Sequence, residues 1–121
     1  MSEFTKGPWE YIDASESARH KFAPACIIRG SGREVARFSW GESSPYFPSE
    51  EESKSNARLI AAAPELLEAL KEVVTAIKIT LRVGHDRIID LGGNCDSPEV
   101  MIKGHSEIAR AEAVIRKALG Q

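Results

Sequence analysis

Lys71, Thr75, Lys78, Arg82 and His85 recur at steps of four, three, four and three. On a continuous helix that spacing stacks them as a basic ridge along one side. Such a ridge is an anion surface, or else a solvated face neutralised by neighbouring acids such as Glu68 and Glu72. A ligand bearing phosphates favours arginine over lysine, because the planar guanidinium holds two oxygens at once. The candidate ligand-binding residues are therefore Arg82, Arg87, Arg110 and Arg116, with Lys78 on the ridge and Asn94 in a glycine turn.

That turn, Gly92-Gly93-Asn94-Cys95-Asp96-Ser97-Pro98, sets backbone donors before a helix start. Oriented N–H groups at such a place favour anions. It lacks the Gly and Lys spacing of a phosphate-binding loop and also reads as a plain turn and cap. Asn94 could meet a base or ribose edge, whereas Asp96 repels an anion. Trp9, Trp40, Tyr46 and Phe47 could stack on a purine, although aromatic side chains more often fill a core. Trp40 is assigned to the core, and Tyr46-Phe47 sit in a proline-bounded loop.

Other chemistries find little support. Cys26, Cys95, His20, His85 and His105 form no pair at zinc-site spacing. Cys95 beside Asp96 lacks the positive surroundings that lower a thiol pKa, and no Ser-His-acid set stands out. Neither a metal nor another cofactor is expected, and the chain reads as a non-enzyme.

The elements that must position these residues follow from the pattern. The 121 residues are 42% hydrophobic and carry a formal charge of −2, which suits one domain with its own core. Residues 1–53 hold six Lys or Arg against nine acids, and 54–121 ten against nine. The balance argues against a dedicated nucleic-acid binder, whose domain is usually strongly basic. No apolar run reaches the roughly 18 residues that span a bilayer. With no N-terminal apolar run and only two cysteines, free thiols in a reducing cytoplasm are expected.

Trp9-Glu10-Tyr11-Ile12 reads as a strand, followed by a loop over Asp13–His20. Phe22–Arg29 and Glu34–Trp40 flank Gly30-Ser31-Gly32-Arg33 and predict a hairpin. In its second strand Ala36, Phe38 and Trp40 should meet the helices, while Val35, Arg37 and Ser39 face away. Pro24 belongs on an edge or at a strand start, and Gly41–Pro48 crosses from sheet to helix. Ser49 with Glu52 predicts a capping box and a helix from Glu50. An apolar stripe at Leu59, Ala63, Leu66 or Leu67, Leu70, Val73 or Val74, Ile77 and Leu81 should be buried. Pro64 imposes a kink or a tight break near Ala62-Ala63, with the second segment ending near Val83.

His85–Leu91 reads as a separate short segment stopped by Gly92-Gly93-Asn94. Ser97-Pro98 starts a short helix that Gly104 weakens and is the candidate to end, and Ser106 caps a last one. That last helix carries the stripe Ile108, Ala111, Ile115, Leu119 and closes at Gly120. Strands followed by helices give an α+β fold: a small N-terminal antiparallel sheet of about three strands against a long kinked helix and C-terminal helices. Residues 1–121 are expected as one domain, 1–48 the sheet portion and 49–121 the helical portion. The long stripe exceeds what one small sheet covers, so a homo-oligomer through the helices is expected.

Asn56-Ala57-Arg58-Leu59-Ile60-Ala61-Ala62-Ala63-Pro64-Glu65-Leu66-Leu67-Glu68-Ala69-Leu70 resembles a segment of many small proteins encoded by tailed phages and prophages. The resemblance extends loosely to Gly7-Pro8-Trp9-Glu10, Ala109-Arg110-Ala111 and Ala118-Leu119-Gly120. In size and layout the chain is similar to phage inhibitors of bacterial immunity, in particular the sponge proteins that sequester cyclic ADP-ribose-type signals of Thoeris defence. That resemblance implies a non-enzymatic protein in the cytoplasm of an infected host, with a nucleotide signal as partner; the composition and the short apolar runs add the expectation of no membrane and no nucleic acid. It assigns no ligand residues here. The alternatives are an anti-CRISPR-type inhibitor that presents its acidic N-terminal half to a basic channel, and an accessory protein with no defence role.

Overall fold

A computed structural model describes residues 3–13, 25–40, 45–46 and 48–121. The expected loop beyond Asp13, the expected strand start at residues 22–24 with Pro24, and most of the sheet-to-helix crossing lie outside them. Contacts gather the chain into two compact units, Met1–Leu66 and Leu67–Gln121, so the first helix belongs with the sheet.

In the first unit β1 (Trp9–Ile12), β2 (Ala25–Gly30) and β3 (Arg33–Ser39) form an antiparallel sheet in the order β1-β2-β3. The hairpin closes through Ser31 and Gly32, both at positive φ (51° and 73°). Two consecutive left-handed residues match the right-handed twist of the strands they join. Ser31 Oγ donates to the Lys6 carbonyl at 3.0 Å, tying the turn to the segment before β1.

The register slips between Ile28 and Arg29, so Ile28 pairs with Ala36 and Arg29 with Glu34, leaving Val35 as an extra residue. This bulge corrects the strict alternation expected for β3. Val35 packs against the core together with Ala36, Phe38 and Trp40.

Helix α1 (Glu50–Ala61) begins as expected. Ser49 accepts the Glu52 N–H at 3.3 Å, and Glu50, Glu51 and Glu52 fill the first turn, where negative charge suits the helix dipole. Its buried face is Ser53, Ala57 and Ala61. These small residues recur every fourth position and let the helix lie close over Cys26 and Ile28 of β2, both fully buried. The expected inward position of Leu59 is therefore wrong: Leu59 is 64% exposed, and Ala63 is exposed as well. Contact at Ala57 carries Leu59, about 200° further round the helix, to the outside.

Pro64 produces the break. Ala62 stands outside both helices, and α2 (Ala63–Asp90) starts with Pro64 as its second residue, where no backbone donor is required. Leu66 N–H donates to the Ala62 carbonyl at 2.9 Å. Pro64 is buried against Gly7, where an added Cβ would sit 2.9 Å from the proline Cβ.

In the second unit α2 runs on through Gly84 to Asp90, so the expected end near Val83 and the separate segment His85–Leu91 do not occur. One glycine costs a helix about 1 kcal/mol, too little to end it while the hydrogen-bond ladder continues on both sides. The stop comes at Gly92 (φ 84°), with Gly93 N–H donating to the Ile88 carbonyl at 2.9 Å. The half-buried or buried face of α2 is Leu67, Leu70, Val74, Ile77 and Leu81.

Ser97 caps α3 (Pro98–Lys103), accepting the Val100 N–H, and Gly104 ends it. Helix α4 (Ser106–Ala118) is capped by His105 rather than Ser106. The His105 Nδ1 accepts the Ile108 N–H at 3.3 Å, while Ser106 donates to the Glu107 carboxylate at 2.8 Å. That hydrogen bond holds the Glu107 carboxyl below its usual range. Ile108 is buried, Ala111, Ile115 and Leu119 are half-buried, and Gly120 follows at φ 73°.

The packing sets two stability outcomes. Ile28→Ala removes a fully buried side chain and should cost about 2–5 kcal/mol, whereas Leu59→Ala should stay within about 0.5 kcal/mol. Denaturant unfolding followed by tryptophan fluorescence checks both, and equal losses would restore the phase expected from sequence.

Burial raises the Cys26 thiol, with Asp13 adding to it, and burial likewise raises the Tyr11 phenol. The folded state therefore keeps protons that the unfolded chain releases. This stability is complete below the ordinary thiol pKa of about 8.5 and falls as pH rises beyond it. Melting temperature should drop from pH 8 to pH 10, about the span of the unfolded thiol and phenol, and Cys26→Ala should flatten the drop.

Candidate functional site

Because α2 is unbroken from Ala63 to Asp90, the basic ridge does form on one helix. Most of its charge is answered locally. Lys71 Nζ lies 3.4 Å from Glu68 Oε1, one turn back. Lys78 pairs with Glu112 of α4, which ties these two helices together. His85 Nδ1 is 3.3 Å from Asp86 Oδ1. Arg82 is exposed and makes no ion pair among the described residues. The ridge is thus a largely neutralised face with one arginine left over.

Of the six candidate residues, Lys78 and Arg82 share one edge of α2, one helical turn apart. Arg87 follows Arg82 by five positions and lies about 140° round the helix from it. Arg110 and Arg116 on α4 are six positions apart, about 120° round, and both are exposed. Asn94 is exposed in the segment between α2 and α3. In that segment Ser97 already occupies the Val100 N–H, so one of the donors expected to meet an anion is committed to the cap.

The aromatic residues divide as their surroundings require. Trp40 is half-buried on the core, with the Lys54 ammonium 5.6 Å from its ring. Trp9 also packs on the core, edge-on to Phe4 at 6.3 Å, and donates from Nε1 to the Thr5 carbonyl at 2.8 Å. Tyr46 is 89% exposed, and Phe47 lies outside the described residues. Cys26 is a buried free thiol and Cys95 a half-buried one. Among the described residues no group of three or more His, Cys, Asp or Glu could hold a metal ion, and no helix is long and apolar enough to cross a membrane.

Two features of the first unit were not anticipated from sequence. On the edge of the sheet–α1 contact, Arg58 lies 5.3 Å from the Tyr11 ring centre, and Lys54 reaches Glu50 at 3.0 Å and Asp13 at 3.7 Å. The Tyr11 hydroxyl donates to Asp13 at 3.3 Å. These lysine and arginine side chains are spent on aromatic and acidic neighbours of the same unit. At the hairpin end an open groove of 510 Å³ is lined by Pro8, Trp9, Glu10, Arg29 and the turn Gly30-Ser31-Gly32. Gly30 makes room for the indole, since a Cβ there would come within 2.4 Å of Trp9 Cδ1. The signal in sequence was a glycine facing a tryptophan, visible only once Trp9 is paired with Gly30.

Comparison with known proteins places the chain by family alone. No curated protein and no solved structure matches it. The family model described as Salmonella phage P22 protein Y8K6 matches residues 1–121, the full length given. The phage character read from the Asn56–Leu70 segment is therefore shown: the chain belongs to the Salmonella phage P22 protein Y8K6 family.

Proposed function

We propose that this phage protein is a non-enzymatic binder that captures a nucleotide signal of host defence, such as a cyclic ADP-ribose isomer, in the cytoplasm of the infected cell. The observation carrying the reading is Arg82: an exposed guanidinium without an ion pair among the described residues, one turn from Lys78 on an uninterrupted helix. A guanidinium matches a phosphate in two parallel hydrogen bonds, whereas the Lys78 ammonium is already engaged by Glu112 and contributes to this reading only by flanking the site. Arg110, Arg116 and Asn94 are exposed in the same unit and serve as secondary contacts in this reading, whereas Arg87 lies about 140° round α2 from Arg82 and takes no part in it.

A second reading has its own observation. Glu50, Glu51 and Glu52 project from the first turn of α1 and are all exposed, an acidic patch suited to a basic channel on another protein.

Mixing the protein with a panel of cyclic nucleotides, washing and heating it should release one compound intact. Arg82→Glu should lower its retention about tenfold or more, the loss of a charged hydrogen bond worth 1.5–3 kcal/mol. Arg58→Glu in the first unit should leave retention unchanged. If no compound is retained and reversing Glu50, Glu51 and Glu52 abolishes protection of phage in a defended host, the second reading holds instead.

A further inference from the structure

Helix α2 carries a second stripe besides its half-buried one. Ala69, Val73, Ala76, Thr80 and Val83 follow at steps of four, three, four and three, and every one is exposed, Val73 at 53% and Val83 at 62%. No Lys, Arg, Asp or Glu interrupts the stripe. Thr80 turns its hydroxyl back onto the Ala76 carbonyl at 2.9 Å, so this side chain directs no unpaired polar group outward. Three-four spacing is the seam along which two helices pack at a shallow angle.

We propose that this seam pairs α2 with α2 of a second copy, antiparallel, in a two-fold dimer. Charge selects that occupant. The unit Leu67–Gln121 holds eight Lys or Arg and eight Asp or Glu, so two copies meet without net repulsion. Its unanswered charges are also self-complementary. Glu72 flanks the stripe near its start and Arg87 ends it one step beyond Val83, both exposed and with no ion pair among the described residues. Antiparallel layering sets Ala76 level with Thr80, Val73 with Val83 and Ala69 with Arg87. Arg87 of each copy then lies one turn from Glu72 of the other, and the symmetry makes the pair twice. A parallel pair would stack Glu72 on Glu72 and Arg87 on Arg87.

The pairing is independent of any ligand at Arg82 and is tested on the full chain without one. Sedimentation equilibrium should give twice the chain mass. Val73→Lys, an exposed substitution, should raise the dissociation constant at least about tenfold with unchanged circular dichroism. Glu72→Arg and Arg87→Glu should each weaken the dimer, and the two together should restore it. A monomer at every concentration overturns the proposal, as does a dimer that Val73→Lys leaves intact or a double swap that fails to recover it. A monomer that assembles only with a different protein overturns it too.

Discussion

The close approach of α1 to β2 is the contact on which the first unit depends. Ala57 and Ala61 are small enough for the helix backbone to come down over Cys26 and Ile28, the most deeply buried pair in the sheet. Once that approach is made, much else in the unit follows from it. Leu59 turns outward and Lys54 and Arg58 reach the rings of Trp40 and Tyr11. The bulge at Val35 brings one more apolar side chain onto the same core. At Ala62 the first helix ends, and Pro64 is placed early in α2, where its missing donor costs nothing.

The second unit is held differently. Only Val74 and Ile108 are buried in it, and an ion pair between Lys78 and Glu112 joins α2 to α4. Partly exposed pairs of this kind contribute about 0–1 kcal/mol, so little of the stability of this unit comes from its ridge. The chemical consequence is larger than the energetic one. Pairing consumes the lysines of the ridge and leaves arginine as the available cation, the residue type better suited to a phosphate.

Local punctuation was legible in the sequence. The strand Trp9–Ile12, the hairpin turn, the Ser49 and Ser97 caps, the Pro64 break and the glycines at 92, 104 and 120 all lie where short-range rules place them, because each is decided by a backbone requirement of one or two residues. What depended on tertiary contact was not legible. Leu59 and Ala57 offer rival apolar faces, and only the need for a close helix–sheet contact favours the smaller. Gly84 looks like a stop until the helix on both sides is seen to continue. His105 displaces Ser106 as a cap because its ring nitrogen reaches the Ile108 N–H. The composition of the ridge was readable, and so was Glu68 as the partner of Lys71, but not Glu112 as the partner of Lys78, since it lies 34 residues away.

In the proposed function Arg82 is the anion-binding group of a neutralised face. Nuclear magnetic resonance of the arginine Nε–Hε groups, recorded on the full chain during titration with a cyclic ADP-ribose isomer, tests it most directly. The Arg82 signal should move and saturate while the Arg37 and Arg58 signals stay in place. A titration that leaves Arg82 unmoved, or that shifts the Trp9 indole in the hairpin-end groove instead, would contradict it.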